Sequence, residues 1–383
     1  MTGFTEGSVS RGHEVPIVWR GVPILAWVPT PLAEQDLTLG SRATRLTERA
    51  AAAVAAAGNR SSHFGPIATL LLRSEGVASS YIEGLRAPLA DVAAAEVGST
   101  LSDAASYVAD NLGAVVGALA SPRRPLTHAD LHRWQRRLVE TGGDLPVHMV
   151  GAYRTEQSWI GGTSPRDAAY VPPPPELVEG LMDDLVSFAN DDTLDAVTQA
   201  AVVHAQFEAI HPFGDGNGRI GRILIGWVLS HRLDLTVPPP VSVFIARDPG
   251  GYLAGLTLFR MGQLNVWVEW MATALQRSSD AAGELMERCE QLTSEWRARL
   301  VGVRSDAAAH RVMDLLTEQP VLSAAAVAGR IGVSARSGQS ALVTLARVGI
   351  VERYRPESTG LGRPTQYWVA PELIELVAGW PVR

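Results

Sequence analysis

The stretch from His211 to Arg222 reads His-Pro-Phe-Gly-Asp-Gly-Asn-Gly-Arg-Ile-Gly-Arg, a glycine-rich loop that runs into a helix beginning with arginines. Gly216 and Gly218 allow backbone N–H groups to approach an anion closely. The start of the following helix adds unsatisfied N–H donors and the positive end of the helix dipole. Arg219 and Arg222 are three residues apart and share one face of that helix. The stretch therefore predicts a binding site for a chain of phosphates.

The other polar side chains of this loop suit the transfer of a phosphate-linked group. His211 ends the preceding predicted helix, where a neutral imidazole can accept the proton of an attacking hydroxyl. Asn217 can donate to a phosphate oxygen, and Asp215 can hold Mg²⁺ between phosphates. The alternative is a helix–loop–helix turn with a capping glycine and solvated arginines. The coincidence of all these residue types within twelve positions argues against that alternative.

These twelve residues match the Fic signature, His-x-Phe-x-Asp/Glu-Gly-Asn-Gly-Arg-x-x-Arg, at every defined position, so the chain resembles the Fic family. The resemblance implies a protein adenylyltransferase that uses ATP and Mg²⁺ and moves AMP to a Ser, Thr or Tyr hydroxyl of an unidentified target protein. The roles it implies are His211 as catalytic base, Phe213 as core anchor, Asp215 as magnesium ligand, Asn217 as contact to the α-phosphate, Gly216 and Gly218 as anion nest, and Arg219 and Arg222 as holders of the outer phosphates.

A second motif lies far upstream, where Ser79-Ser-Tyr-Ile-Glu83-Gly84 matches the inhibitory pattern of the family, Ser/Thr-x-x-x-Glu-Gly/Asn. The resemblance implies that Glu83 pairs with Arg222 and occupies the space of the γ-phosphate of ATP. A carboxylate on that guanidinium removes one phosphate clamp and repels an incoming phosphate. Ser79 can hold the inhibitory helix by a hydrogen bond. The same glutamate could position a water molecule for removal of AMP, so the direction of the reaction stays open.

The segment from Gly151 to Val171 is predicted to form a short β-hairpin around Gly-Gly-Thr-Ser-Pro. It resembles the flap of the family, which pins the target segment beside the catalytic histidine, and the flap residues are Trp159, Ile160, Gly161 and Gly162. A surface hairpin packed on helices is the alternative. His128 and His132 have the i, i+4 spacing of metal pairs, but with no third ligand in sight they are interpreted as surface residues. His204 is interpreted as a packed core histidine.

The C-terminal part resembles a winged helix-turn-helix, with the turn glycine at Gly332. Six arginines stand against two glutamates between Arg330 and Arg363, which favours DNA, although similar folds also dock proteins. The candidate DNA-binding residues are Arg336, Ser337, Gln339 and Ser340 on the recognition helix, and Arg353, Arg355 and Arg363 on the wing.

Composition restricts the class of protein. The chain has 383 residues, 46% hydrophobic residues and a net charge of −7. No apolar run approaches the roughly 18 residues that a membrane span requires, and the N-terminus lacks the pattern of a secretory signal. The single cysteine, Cys289, cannot form an internal disulfide or a cysteine-based zinc site. We therefore expect a cytoplasmic protein without a membrane partner, and a homodimer is one open oligomeric state.

The expected fold is mainly α: a Fic helical core with a β-hairpin flap, plus a C-terminal winged helix-turn-helix domain of the α+β class. The segment Ile17–Leu32 is predicted to be irregular because prolines interrupt it, and the helix that begins at Asp36 is predicted to end at Gly58-Asn59. The predicted domains are a flexible tail (1–12), an N-terminal helical region with the inhibitory helix (13–100), the catalytic core with the flap (101–245), a helical connector (246–303) and the winged domain (304–383).

Three functions remain open from the sequence. The first is an autoinhibited adenylyltransferase. The second is an enzyme of the same fold that removes AMP or transfers another phosphate-linked group. The third is a DNA-binding regulator that keeps the helical core as a nucleotide sensor. The complete set of His211, Asp215, Arg219 and Arg222 argues against the third, because a sensor needs a phosphate cradle but no base.

Overall fold

The computed structural model describes residues 11–63, 65–98, 103–119, 124–139, 145–304, 307–356 and 365–379. These ranges are mainly helical with two small antiparallel sheets, which confirms the predicted fold class. The strands are β1 (Gly12–Trp19), β2 (Val22–Pro29), β3 (Val321–Ser323), β4 (Glu352–Tyr354) and β5 (Tyr367–Val369). The helices are α1 (Ser41–His63), α2 (Gly65–Ile82), α3 (Leu89–Glu96), α4 (Asp103–Leu119), α5 (His128–Val139), α6 (Pro175–Ala189), α7 (Ala196–Ile210), α8 (Asn217–Leu233), α9 (Ser242–Ile245), α10 (Pro249–Arg260), α11 (Leu264–Arg299), α12 (Ala308–Leu316), α13 (Ala324–Ile331), α14 (Ala335–Arg347) and α15 (Pro371–Ala378). Within the same ranges, no helix combines the length and the apolarity that crossing a bilayer requires.

An N-terminal hairpin replaces the irregular segment predicted for Ile17–Leu32, so that prediction was wrong. β1 and β2 pair along eight residues, and Arg20 and Gly21 form the connecting turn with φ of 48° and 78°. Both central residues of such a two-residue turn need positive φ. Prolines are tolerated here because each strand of a two-stranded sheet keeps one free edge. Of the predicted tail 1–12, residues 1–10 lie outside the described ranges, and Gly12 already belongs to β1.

Helices α7 and α8 lie at the centre of the fold and fix the ends of the signature loop. Every residue of α7 except Glu208 is buried, as expected for a helix that is apolar on all sides. Asp195 caps its start by accepting hydrogen bonds from the backbone N–H groups of Val197 and Thr198. Because α8 packs along α7 and is also largely buried, the loop between them is held by two rigid elements.

The end predicted for the first long helix was wrong. Helix α1 continues through Gly58 and Asn59 to His63. A side chain on Gly58 would collide with Leu235, because a Cβ there would lie 2.5 Å from the Leu235 Cδ2 atom. Gly58 therefore permits a close approach between elements and does not terminate the helix.

The C-terminal residues 307–379 have the element order expected of a winged helix-turn-helix, with two additions. Gly332 (φ 66°) ends α13 ahead of α14, and the sheet has the order β3-β5-β4. Strand β3 and helix α15 were not predicted. The predicted wing loop Glu357–Arg363 lies outside the described residues. The apolar core of this part is continuous with α2 and α11, since Leu70 and Leu285 belong to the same buried cluster as Leu342.

Candidate functional site

His211 lies immediately after α7 with φ 51° and ψ 59°, a left-handed backbone that non-glycine residues rarely adopt. Arg154 holds this backbone, because its Nε donates to the His211 carbonyl (2.9 Å) and its N–H donates to the Pro212 carbonyl (2.8 Å). The His211 side chain is 18% exposed, while its Nδ1 atom is buried. Burial and the nearby Arg154 charge lower the pKa of His211 to about 4. The imidazole is therefore neutral near pH 7 and able to accept a proton.

Two buried side chains close the loop that follows. Phe213 is fully buried and packs near Phe207 and Tyr153. The amide of Asn217, 3% exposed, accepts from the Phe213 N–H (2.8 Å) and donates to the Phe213 carbonyl (2.8 Å). One of the two N–H donors of Asn217 is thus used by the loop itself, and one is left for the predicted phosphate contact.

Asp215 lies at the mouth of the loop. Its side chain is 52% exposed, Oδ1 accepts from the Gly216 N–H (2.7 Å), and Arg219 lies 3.3 Å from Oδ2. Among the described residues no group of three or more His, Cys, Asp and Glu side chains could hold a metal ion. An exposed single carboxylate fits Mg²⁺, which is commonly bound by one or two carboxylates together with water and substrate phosphates.

The two arginines of α8 are buried, 7% exposed at Arg219 and 2% at Arg222. Arg222 donates from Nε to Ser79 Oγ (2.9 Å) and from the Nη2 atom to the Ser79 carbonyl (2.9 Å) and to Glu83 Oε1 (2.7 Å). Burial alone would lower the pKa of Arg222, but Glu83, Tyr252 and Glu208 together oppose it and the net direction is upward. The structure thus brings both residues of the upstream motif to the guanidinium that the signature motif supplies.

Glu83 reaches the start of α8 from the end of α2. Gly84 (φ 82°) follows it and ends that helical segment. A Cβ on Gly218 would collide with the Glu83 carboxylate, so the carboxylate lies directly on the first turn of α8. Burial raises the pKa of Glu83, but Arg222, Arg219 and His211 oppose it and the net direction is downward. An ionised carboxylate therefore occupies the cradle that the sequence assigns to phosphate.

The flap is not the regular hairpin predicted for Gly151–Val171. Only one bridge joins its two arms, with N–H···O bonds between Ile160 and Tyr170 of 2.8 and 3.2 Å. Gly161 and Gly162 (φ 70° each) open a turn that Asp167 closes by accepting bonds from the backbone of two residues in the turn. This side-chain closure takes the place of a strand ladder.

The flap is packed between the N-terminal hairpin and the signature loop. Trp159 packs edge-on against Trp19, with 5.8 Å between ring centroids. The Trp27 N–H donates to the Val171 carbonyl (2.8 Å), and the Tyr170 hydroxyl donates to the Ala209 carbonyl (2.6 Å), two residues before His211. The flap is therefore attached directly to the end of α7.

The paired histidines of α5 are less exposed than predicted. His128 lies 2.8 Å from the Tyr153 hydroxyl and 3.0 Å from Asp183, and the His132 ring packs edge-on against Tyr153. Both rings pack against Tyr153 at the start of the flap segment and are half-buried, with 33% of the His128 side chain exposed. His204 is fully buried and bonded to the Tyr252 hydroxyl at 2.9 Å, in line with its interpretation as a core histidine.

Sequence reasoning missed two residues beside His211. Arg154 was read only as part of the flap, although it donates to several backbone carbonyls around the loop. Glu208 was not noticed, although it is the only acidic residue of α7 and lies one turn before His211. A single charge within an apolar helix was the available signal.

The candidate DNA-binding residues lie on a separate part of the molecule. Arg336, Ser337 and Ser340 are exposed near the start of α14, and Gln339 is half-buried. Arg353 and Arg355 are exposed on and just after β4, with the Arg353 guanidinium 5.8 Å from the Trp368 ring centroid. Arg363 lies outside the described residues.

Comparison with known proteins agrees with this geometry. Residues 125–229 match the sequence model of the Fic/DOC family. The chain is 32% identical over 210 residues to a probable protein adenylyltransferase of Aquifex aeolicus, covering 47% of this chain and 65% of the relative. It is 30% identical over 146 residues to protein adenylyltransferase fic-1 of Caenorhabditis elegans, covering 37% of this chain and 26% of the relative. The chain thus spans less than two thirds of these relatives.

The fold has a solved counterpart. A crystal structure of a Fic family protein from Desulfovibrio desulfuricans superposes with a TM-score of 0.57 and 22% sequence identity, over 87% of this chain and 97% of that one. The match to the family model contains the whole loop from His211 to Arg222. This chain therefore carries a domain of the Fic/DOC family at residues 125–229.

Proposed function

We propose that this protein is a protein adenylyltransferase, which transfers AMP from ATP to a Ser, Thr or Tyr hydroxyl of a target protein. The observation that supports it most is a neutral imidazole, His211, next to an anion cradle formed by Gly216, Gly218 and two buried arginines. The names of the curated relatives support the same activity. A phosphate sensor would need the cradle but not the imidazole.

The loop and the first turns of α8 would bind the phosphates of ATP. Backbone N–H groups at the start of α8 would donate to phosphate oxygens, and Arg219 and Arg222 would supply positive charge to the outer phosphates. Asp215 would hold Mg²⁺, which, when bound, neutralises charge on the phosphate oxygens. Asn217 would contribute its free N–H to the α-phosphate while keeping the loop closed.

The reaction is an in-line substitution at the α-phosphorus. The hydroxyl oxygen of the target forms a bond to that phosphorus, the bond from phosphorus to the oxygen bridging to the β-phosphate breaks, and pyrophosphate leaves. His211 accepts the proton of the hydroxyl. Because Nδ1 of His211 is buried, Nε2 is the nitrogen left to receive that proton.

The target segment would lie along the flap. A groove of about 790 Å³ runs between β2, the second arm of the flap and α10, and Trp27, Tyr170 and Arg260 are among its lining residues. Tyr170 connects this groove to the backbone just before His211. An extended segment bound there by backbone hydrogen bonds would present a hydroxyl to the imidazole.

Glu83 would keep this activity low. Its carboxylate pairs with Arg222 and lies on the turn of Gly218, so ATP can bind productively only when the carboxylate moves away. We expect Glu83→Gly to raise self-labelling by α-phosphate-labelled ATP strongly, and intact mass spectrometry to show the added mass of AMP. Glu83→Gly with His211→Ala is the matched control and should bind ATP without transfer.

The same experiment separates the alternatives. Nucleotide binding by the Glu83→Gly protein without any transfer to itself or to lysate proteins would favour a sensor. If the unsubstituted protein released AMP from a previously modified protein faster than Glu83→Gly did, the physiological activity would be removal of AMP.

A second proposal concerns residues 307–379, for which exposed Arg336, Arg353 and Arg355 favour DNA as the ligand. A random duplex should bind with an affinity that falls as salt rises, and the double substitution Arg353→Ala with Arg355→Ala should weaken binding and flatten that salt dependence. Absence of binding even at low salt would leave protein docking as the role of this part.

A further inference from the structure

Glu208 is a buried carboxyl group that the proposed reaction does not use. Its side chain is 12% exposed, and its Oε1 atom is buried without a hydrogen-bond partner among the described residues. Burying a polar atom without a hydrogen-bond partner costs free energy of folding, so such an atom in a native protein calls for a structural or functional explanation. The position of Glu208, one helical turn before His211, directs attention to the imidazole.

The His211 imidazole has an unpaired ring nitrogen that faces this carboxyl. Nδ1 of His211 is buried and makes no hydrogen bond of normal geometry among the described residues, although the backbone carbonyl of Glu208 lies close enough to favour the protonated ring. This nitrogen lies 3.9 Å from Glu208 Oε2. This is about 1 Å beyond a normal hydrogen bond. Catalytic hydrogen bonds are often long in a protein without substrate and tighten in the complex. A small side-chain rotation would join the two groups.

The packing of α8 leaves room for this carboxyl. A Cβ on Gly221 would lie 2.5 Å from Glu208 Oε1 and 3.0 Å from Nδ1 of His204. Glu208, in the last turn of α7, thus contacts α8 at Gly221, between Arg219 and Arg222. The absence of a side chain at position 221 therefore leaves the space that the Glu208 carboxyl occupies.

Several charged and titratable groups surround Glu208. It interacts electrostatically with Arg222 on α8, Glu83 after α2, Tyr252 on α10 and Tyr170 of the flap. His211 lies 3.9 Å from its carboxyl, His204 of α7 lies near it at Gly221, and Arg154 of the flap segment acts on His211. Burial raises the pKa of Glu208 to about 7, with Arg222 opposing the rise and Glu83 adding to it. The carboxyl therefore changes its protonation in the neutral range.

We propose that Glu208 is a positioning residue for His211, whose carboxylate accepts a hydrogen bond from Nδ1–H and leaves the Nε2 lone pair free for the proton of the target hydroxyl. This inference rests on the proposed adenylyl transfer. The protonated carboxyl would donate to Nδ1 instead and favour the Nε2–H tautomer, whose Nε2 has no lone pair to accept the proton of the target hydroxyl. Transfer should therefore rise with pH through the ionisation of Glu208.

The test uses the Glu83→Gly protein, in which transfer is measurable. We expect Glu208→Ala to lower kcat about tenfold to a hundredfold, a range typical of residues that orient another functional group, with the KM for ATP unchanged. Glu208→Gln is nearly isosteric and its amide oxygen can still accept from Nδ1–H. It should therefore retain more activity than the alanine variant and lose the rise in kcat near pH 7.

The control is Glu75→Gln, which changes another fully buried carboxyl that, like Glu208, lies in the field of Arg222 but is bonded to Ser242 and does not contact His211. It should leave the pH profile of transfer unchanged. A Glu208→Gln protein that keeps the step near pH 7, or a folded Glu208→Ala protein with unaltered kcat, would overturn the inference.

A second readout does not depend on activity. ¹⁵N NMR of the His211 ring should show the Nδ1–H tautomer above pH 8 and a shift toward Nε2–H in Glu208→Ala. If the His211 ring were the Nε2–H tautomer above pH 8 in the protein that retains Glu208, the positioning role would be contradicted. If NMR showed the Nδ1–H tautomer but the Glu83→Gly protein transferred no AMP, the positioning role of Glu208 would stand and the proposed function would be wrong.

Discussion

At the scale of single residues, Glu83 and Ser79 make different contributions to the contact between Arg222 and the end of α2. Glu83 supplies the charge, and Ser79 supplies one hydroxyl and one carbonyl acceptor to the same guanidinium. Only the hydroxyl is removed by mutation to alanine. The two residues of the inhibitory motif can therefore be ranked by experiment.

Ser79→Ala should weaken the inhibitory contact without abolishing it. A hydrogen bond to a charged group contributes about 1.5–3 kcal/mol, so the population of the released state should rise about tenfold or more, provided that no water replaces the hydroxyl. Self-labelling of Ser79→Ala should then fall between that of the unsubstituted protein and that of Glu83→Gly. Labelling equal to the unsubstituted protein would show that Ser79 does not hold the helix.

The pH dependence of the same contact has a definite sign. The pKa of Glu83 lies below its ordinary value of 4.5 in the folded protein, so its contribution is present above that value and is lost only as the pH falls below it. Because the transfer step has its own pH dependence, the inhibitory contact is measured as the ratio of labelling by the unsubstituted protein to labelling by Glu83→Gly. This ratio should stay low and constant between about pH 5.5 and 8.5, and a rise of the ratio within this window would show that another group controls release.

At the scale of elements, Arg154 joins the first arm of the flap segment to the end of α7. Its guanidinium donates to the carbonyls of His211, Glu156, Pro173 and Ile210, and it is 3% exposed. Burial lowers its pKa to about 10, so it remains charged at neutral pH. The left-handed backbone of His211 is therefore stabilised from outside its own helix.

We expect Arg154→Met to be strongly destabilising. The methionine would fill much of the space but leave buried carbonyls without donors, each at a cost of about 1–3 kcal/mol. The free energy of unfolding in urea should fall by about 3 kcal/mol or more. Arg166→Met changes an exposed arginine of the same flap and should have little effect. Equal stability of both variants would contradict this role.

These elements also show what could be read from the sequence. The signature loop and the Glu83 motif are contiguous stretches whose chemistry is local, so their residues could be chosen in advance, and the structure brings them into contact. Arg154 and the His211 carbonyl are 57 residues apart, and no local pattern reports such a pairing. The prolines of the N-terminal hairpin and Gly58 were misread for a related reason. The prolines are tolerated because they lie next to an open sheet edge, and Gly58 lies within α1 because Leu235 packs closely against it.

At the scale of the whole molecule, the helix that carries the inhibitory residues is shared between the Fic core and the C-terminal residues. The end of α2 holds Arg222, while Arg73 in its middle is fully buried against the other side. Arg73 donates to Glu96 (2.7 Å), to the Glu318 carbonyl (3.0 Å) and to Gln319 (2.9 Å). Asp91 on α3 adds a hydrogen bond from the Tyr354 hydroxyl at 2.8 Å.

Substitution of Arg73 should therefore be felt in both parts of the protein. Arg73→Met leaves the partly exposed Glu96 carboxylate and the acceptors of Glu318 and Gln319 without their donor, and each buried acceptor left unpaired costs about 1–3 kcal/mol. We expect Arg73→Met to speed hydrogen exchange in α2 and around residues 318–323, and to raise self-labelling because α2 also positions Glu83. Arg86→Met changes an exposed arginine just beyond the same helix and should alter neither measurement. If exchange quickened around residues 318–323 while α2 and the labelling stayed unchanged, the two ends of the helix would be independent, and the C-terminal residues would have no influence on the inhibitory contact.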